Sequence, residues 1–204
     1  MLLAAGLSRR MGERNKLLIE FAGEPLVRRT ARVYLAAGIR VHAVLGHEAG
    51  RVRAALEDLP VTFVTNPRYE EGQQSSVQAG VESLGGACDA VLIALADQVA
   101  LRPEDLHELL GVFAKCGKER IAIPFHRGQR GNPVVFPAKL IAAMRAAGTN
   151  AVSRAFIDAN PRLIEQYEAA HDRFIIDIDT PDDLETFGGK LSGTPENKPV
   201  GGTQ

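Results

Sequence analysis

The chain runs to 204 residues with 45% apolar content, enough to bury the core of one α/β domain. Its 24 Lys and Arg against 25 Asp and Glu leave a net charge of −1, so the overall balance does not favour nucleic acid or an anionic membrane surface as partner. Two distant cysteines, Cys88 and Cys116, offer neither a zinc ribbon nor a disulfide framework and fit a reducing cytoplasm; no run reaches the roughly 18 apolar residues of a membrane span.

The opening run Leu2–Ala5 reads as the end of a buried strand. It breaks at Gly6 into a small, polar loop carrying Arg9, Arg10, Arg14 and Lys16, and apolar spacing resumes at Leu17. The apolar start has no basic n-region and meets the glycine loop at once, so it is not read as a signal peptide. A glycine loop at the end of a parallel strand, rich in unpaired N–H groups, suits a polyphosphate. It is not a Walker loop, since five residues separate Gly6 from Gly12 and Glu13 follows. Nor is it the dinucleotide fingerprint of a nicotinamide dehydrogenase, since Leu7 and Ser8 follow Gly6. Ala4, Ala5 and Gly6 allow close approach to their backbone, and Arg10 and Lys16 place positive charge beside the phosphates. Arg9 and Arg14 are expected to face solvent.

Gly23–Leu26 is a turn, helical spacing runs from Leu26 to Ala37, and Gly38 stops it. Val41–Gly46 is the next buried strand, followed by a helix over 50–59 and a strand over Val61–Thr65. After Asn66-Pro67 a polar segment leads into a helix expected to start near Ser75, with the Ser75 hydroxyl as its cap. Ala90–Ala96 is the most apolar strand and so the central one; Asp97 ends it, in the ligand crevice of an open sheet. A carboxylate there suits Mg²⁺, which sits on one or two carboxylates plus substrate phosphates. The plain alternative is an Asp that caps a turn.

Pro103–Ala114 is a helix with Pro, Glu104 and Asp105 in its first turn, and Arg120–Pro124 a strand. A basic glycine turn (Phe125 to Pro137) leads into another strand, with helices expected over 137–147 and 153–159. Phe174–Asp179 reads as a strand that aims Asp177 and Asp179 the same way, and Thr180-Pro181-Asp182-Asp183 opens a final helix. Residues 188–204 read as a disordered tail behind a single domain of 1–187. Strands alternating with helices imply an α/β fold: three layers around a mostly parallel sheet. His42, His47, His107, His126 and His171 lack metal-ligand spacing and read as structural.

In order along residues 1–187 stand Leu-Ala-Ala-Gly-x-Ser-x-Arg-Met-Gly with Lys16, the Asn66–Gly80 segment, Leu-Ala-Asp-Gln, Arg-Gly-Asn-Pro-Val and Asp-Ile-Asp-Thr-Pro. This series resembles the MobA-like nucleotidyltransferases and, among them, the molybdenum cofactor cytidylyltransferases. The resemblance implies a nucleotide-diphospho-sugar transferase-like fold with a Rossmann-like nucleotide-binding half, entered partway through the first strand. It implies a nucleoside triphosphate held by Leu3, Ala4, Ala5, Gly6 and Ser8, with Asn66, Gly72, Ser75 and Ser76 over base and ribose. Asn132, with Arg127 and Arg130, would line the acceptor side, although Arg127 alone is better read as a solvated hairpin tip. Lys16, Arg10 and Asp97 would act on the phosphates. Mg²⁺ would sit on Asp97 with Asp179, then Asp177, and a pure cap is the competing role for Asp179. Leu-Ala-Ala-Gly rather than Leu-Ala-Gly-Gly points through Ala5 to CTP, with molybdopterin as acceptor and a molybdoenzyme as client. Val99 replaces a usual proline, and Gly148 to Arg154 departs from the cytidylyltransferase pattern. GTP, a sugar phosphate acceptor, and a non-catalytic cofactor carrier are the alternatives.

Overall fold

In the computed structural model residues 1–12, 14–85, 88–146 and 154–190 are described. The strands are β1 (Leu2–Ala4), β2 (Glu20–Phe21), β3 (Glu24–Pro25), β4 (Val41–Leu45), β5 (Val61–Thr65), β6 (Ala90–Leu95), β7 (Ile121–His126), β8 (Gln129–Arg130), β9 (Val134–Pro137), β10 (Ile164–Glu168) and β11 (Gly189–Lys190). The helices are α1 (Leu26–Ala36), α2 (Ala49–Ala54), α3 (Gln73–Ser83), α4 (Pro103–Lys115), α5 (Ala138–Ala146), α6 (Arg154–Ala159) and α7 (Pro181–Thr186).

The apolar run of β6 is buried on both faces, and the strand takes the central place its composition calls for. The main sheet runs β10-β7-β9-β6-β1-β4-β5, with β8 paired to β7. β6, β1, β4 and β5 are mutually parallel and β10 is parallel to β7; β9 runs antiparallel to both its neighbours. Alternation along β1 separates the layers. Leu2 and Ala4 join Val27, Ala31, Leu106 and Leu109 under α1 and α4, while Leu3 joins Val77, Val81, Phe136 and Ile141 under α3 and α5. The α/β class and the three mostly parallel layers stand as expected.

Four local expectations are corrected. Ser75 does not cap α3: the helix begins at Gln73 behind Gly72, and the Ser75 hydroxyl faces back, its oxygen 2.7 and 2.8 Å from the Arg68 and Gly72 carbonyl oxygens that share its one proton. Residues 174–179 form no strand, because they pass the end of β6 with Ile178 N donating to Asp97 O (3.1 Å) rather than joining a ladder. β10 was not anticipated; its sequence Ile-Glu-Gln-Tyr-Glu is that of a half-exposed edge strand and lacks an apolar run. Gly189–Lys190, assigned to the tail, pairs with β2, and β3 completes a three-stranded sheet there. Residues 191–204 and the 147–153 part of the divergent stretch lie outside the described residues.

The return path from β10 to α7 is pinned by Asp105 in the first turn of α4. This carboxylate is fully buried, accepts from Arg102 N (3.0 Å) and from Arg173 Nε (2.8 Å) and Nη2 (2.5 Å), and has His171 Nε2 at 3.1 Å. Burial pushes the carboxyl up, but the Arg173 fork, the Arg102 N–H and the nearby His171 outweigh it and hold Asp105 below the usual carboxylate range. A depressed pKa in the folded state stabilises above the ordinary value of 3.8 and is lost as pH falls through the folded one. Asp105→Asn is therefore expected to cost about 3–5 kcal/mol at neutral pH in denaturant titrations, as for other broken buried pairs. The gap to wild type should close as the pH drops below 3.8.

Candidate active site

The cavity is built at the C-terminal ends of β1 and β6. After β1 the chain turns away through Ser8, in left-handed conformation (φ 51°), whose carbonyl accepts from Met11 N at 2.8 Å. The Ser8 hydroxyl accepts from Lys16 N at 3.2 Å, closing the loop on itself. Buried Asn15 then starts a short 3-10 turn, its Oδ1 accepting from Leu17 N at 3.1 Å. Asn15 was missed in the sequence, where it stands among charged residues and reads as one more polar loop position.

That turn aims Lys16 inward. Its Nζ stands 2.5 Å from Asp97 Oδ2 and 2.9 Å from Asp179 Oδ1, and Arg10 Nη2 stands 2.8 Å from Asp179 Oδ2. Carboxylate oxygens of Asp97, Asp177 and Asp179 all lie within 4.8 Å of one another. Burial pulls the Lys16 ammonium down, yet the charges and hydrogen bonds of Asp97 and Asp179 outweigh it and raise its pKa above the ordinary lysine value. Asp177 is raised, first by burial and then by the charges of Asp97 and Asp179. Asp97 Oδ1 is shut off from solvent with no hydrogen-bond partner among the described residues. Three converging carboxylates, one of them carrying an unpartnered oxygen, fit a divalent cation such as Mg²⁺.

These groups line a cavity of about 480 Å³. Of the residues expected against a nucleotide, Leu3, Ala5, Gly6, Ser8, Gly72 and Ser76 line it together with Arg10, Lys16 and the three acids. Ala4 lies buried beneath, and Asn132 lies outside the lining. Asn66 and Ser75 are buried under the floor. Asn66 Nδ2 donates to the Ser75 and Ser76 hydroxyls (2.9 and 3.0 Å) and its Oδ1 accepts from Arg68 N (2.9 Å), which spends its polar atoms on tying β5 to α3. Arg9 is exposed, as expected, yet borders the opening. Tyr69, Glu70 and Gln73 also line the cavity and were not singled out in the sequence. Tyr69 seats closely because Gly46 follows β4: a Cβ there would fall 2.5 Å from Tyr69 Cβ.

An open sheet with a cation- and acid-lined cavity at its carboxyl strand ends defines a nucleotide-binding α/β protein. The chain belongs to the MobA-like NTP transferase domain family, whose description matches residues 1–169. It is 29% identical to a probable molybdenum cofactor guanylyltransferase of Natronomonas pharaonis, over 94% of this chain and 97% of that protein. It is also 29% identical to the nicotine blue oxidoreductase of Paenarthrobacter nicotinovorans, over 90% and 93%. A solved nucleotidyl transferase from Methanothermobacter superimposes with a TM-score of 0.74 at 23% identity, covering 91% of this chain and 93% of that one, a likeness of fold. The family supports nucleotidyl transfer as the class of activity.

If Asn66 braces the floor, Asn66→Ala should lower stability by about 1–3 kcal/mol, the usual penalty for stranding buried partners. Thermal melts of the nucleotide-free protein check this, because a residue that served the ligand alone would leave the melt where it was.

Proposed function

We propose that the chain is a cytidylyltransferase that moves CMP from CTP to a phosphate of molybdopterin and releases pyrophosphate. The observation that carries this is the meeting of Lys16 and Arg10 with Asp97, Asp177 and Asp179 around one cavity beside the Ala5–Ser8 loop. An acceptor phosphate oxygen would bond to the α-phosphorus as the bond to the bridging oxygen of the β-phosphate breaks. The attacking oxygen is already anionic, so the site needs alignment and charge stabilisation rather than a side-chain nucleophile.

The loop N–H groups would orient the triphosphate. Lys16 and Arg10 would neutralise the departing pyrophosphate, Arg10 by a fork and Lys16 as a point charge. Asp97 and Asp179, with Asp177, would hold Mg²⁺, which supplies charge stabilisation on the phosphoryl oxygens when bound. Buried Ala5 places its methyl group where glycine would leave space, which favours the smaller pyrimidine base.

The similarity to a guanylyltransferase makes GTP the competing donor, and the similarity to an oxidoreductase adds a reaction of another class. One assay set separates them. Pyrophosphate release is expected with CTP plus molybdopterin, weakly with GTP, with no oxidation of reduced nicotinamide cofactors. Nicotinamide oxidation without pyrophosphate would overturn the transferase reading.

Two substitutions sharpen it. Ala5→Gly is expected to shift preference toward GTP. Asp97→Ala and Lys16→Met should each lower kcat by about 10²–10³-fold, the scale of losing one preorganised electrostatic group. An Asp97→Ala protein that binds nucleotide and matures a molybdoenzyme like wild type would instead mark a non-catalytic carrier.

A further inference from the structure

Asp97 stands two residues past the central strand β6, but Asp177 and Asp179 sit on a segment with no ladder of its own. Ligand carboxylates need their positions held to a fraction of an ångström, so something must register that segment against β6. Downstream, Asp179 N donates to Asp183 Oδ2 at 2.9 Å, the cap of α7. Upstream the anchor is Phe174, fully buried between the His171 ring (5.5 Å) and the Tyr167 ring (5.9 Å).

The Phe174 carbonyl accepts from Asn132 N (2.9 Å) and from Gln98 Nε2 (3.0 Å). Gln98 follows Asp97 directly and is buried to 3% exposure. The same Nε2 donates to the Asn132 carbonyl at 3.0 Å, so one amide joins the β6 end, the turn before β9 and the acid-bearing segment. Its own backbone is held to α1, the Thr30 hydroxyl lying 3.1 Å from Ala96 O and 3.5 Å from Gln98 O. Gln98 Oε1, by contrast, is buried without a partner among the described residues. An unpaired buried oxygen carries a desolvation penalty that a methionine of similar length would avoid. That penalty is set against the two carbonyls its Nε2 satisfies, both on the backbone that leads to the acids.

We propose that Gln98 is a positioning residue that sets Asp177 and Asp179 in register with Asp97 and so tunes divalent-cation affinity. The proposal rests on the nucleotidyltransferase reading of this site. Outer partners of metal ligands commonly shift affinity or activity by about 10–100-fold.

Gln98→Met and Gln98→Glu remove the donor. Gly131→Ala disturbs the same segment from the other side, since a Cβ there falls 2.6 Å from the Phe174 carbonyl oxygen. The full chain is titrated with Mn²⁺ in the presence of CTP, CTP affinity is measured in EDTA, and kcat, KM and melting temperature are recorded. Each variant is expected to lose about tenfold or more in Mn²⁺ affinity and in kcat, with metal-free CTP affinity within about twofold of wild type. Wild-type Mn²⁺ affinity and kcat in Gln98→Met, whatever its melting temperature, would overturn the proposal. Should that variant fail to fold, Gly131→Ala decides by the same readouts. If wild type releases no pyrophosphate from any triphosphate the transferase reading fails, while the Mn²⁺ titrations still judge Gln98. A wild-type protein that binds no Mn²⁺ overturns both.

Discussion

The arrangement at the centre of this molecule is a lysine ammonium held between two carboxylates from distant parts of the chain, Lys16 and Asp179 being 163 residues apart in sequence. Three acids with oxygens inside 4.8 Å of one another repel, and poorly solvated walls strengthen that repulsion. Its strain is visible at Asp177, whose carboxyl is pushed up by burial and by its two neighbours. Lys16 and Arg10 offset it, and the fold brings the glycine loop and the closing segment together at one strand end to let them do so.

Topology makes that meeting possible. β1 and β6 are parallel neighbours, so the loop after one and the Asp after the other emerge on the same edge. The closing segment reaches them from β10, at the far side of the sheet, and must cross past β7, β9 and β6. It does so without a ladder, held by Arg173 on Asp105, by the Phe174 carbonyl and by the α7 cap. Substrate-facing loops on a rigid sheet are the general solution to combining precision with access. Here the same logic extends to the acids themselves.

What could be read from the sequence was local. Runs such as Ala90–Leu95 announce a strand buried on both faces, and Thr180 with Pro181 and Asp183 announces a capped helix, because both signals arise from neighbours in sequence. Lys16, Arg10, Asp97, Asp177 and Asp179 were legible as candidates, and the structure gathers all five. The failures share a cause. β10 is half exposed and polar, and Asn15 and Gln98 look like ordinary loop polars until their partners are known. The alternation of Asp177 and Asp179 suggested a strand, yet the segment makes its long-range hydrogen bonds to Asn132, Gln98 and Asp97, residues far away in sequence, and a local one to Asp183.

Charge balance explains why such contacts matter to the chemistry proposed. Three acids face two cations, so the protein alone does not offer a positive site at its deepest point. A triphosphate brought there adds negative charge that Lys16 and Arg10, already engaged by carboxylates, do not cover. The N–H groups of the Gly6 loop would add partial positive charge around the phosphates. On the proposed reading the remaining deficit falls to a divalent cation, and its placement depends on how closely two independent pieces of backbone are aligned. An error in that alignment leaves the acids too far apart to share an ion or close enough to repel the substrate, which makes the packing around Phe174 part of the electrostatics of the site.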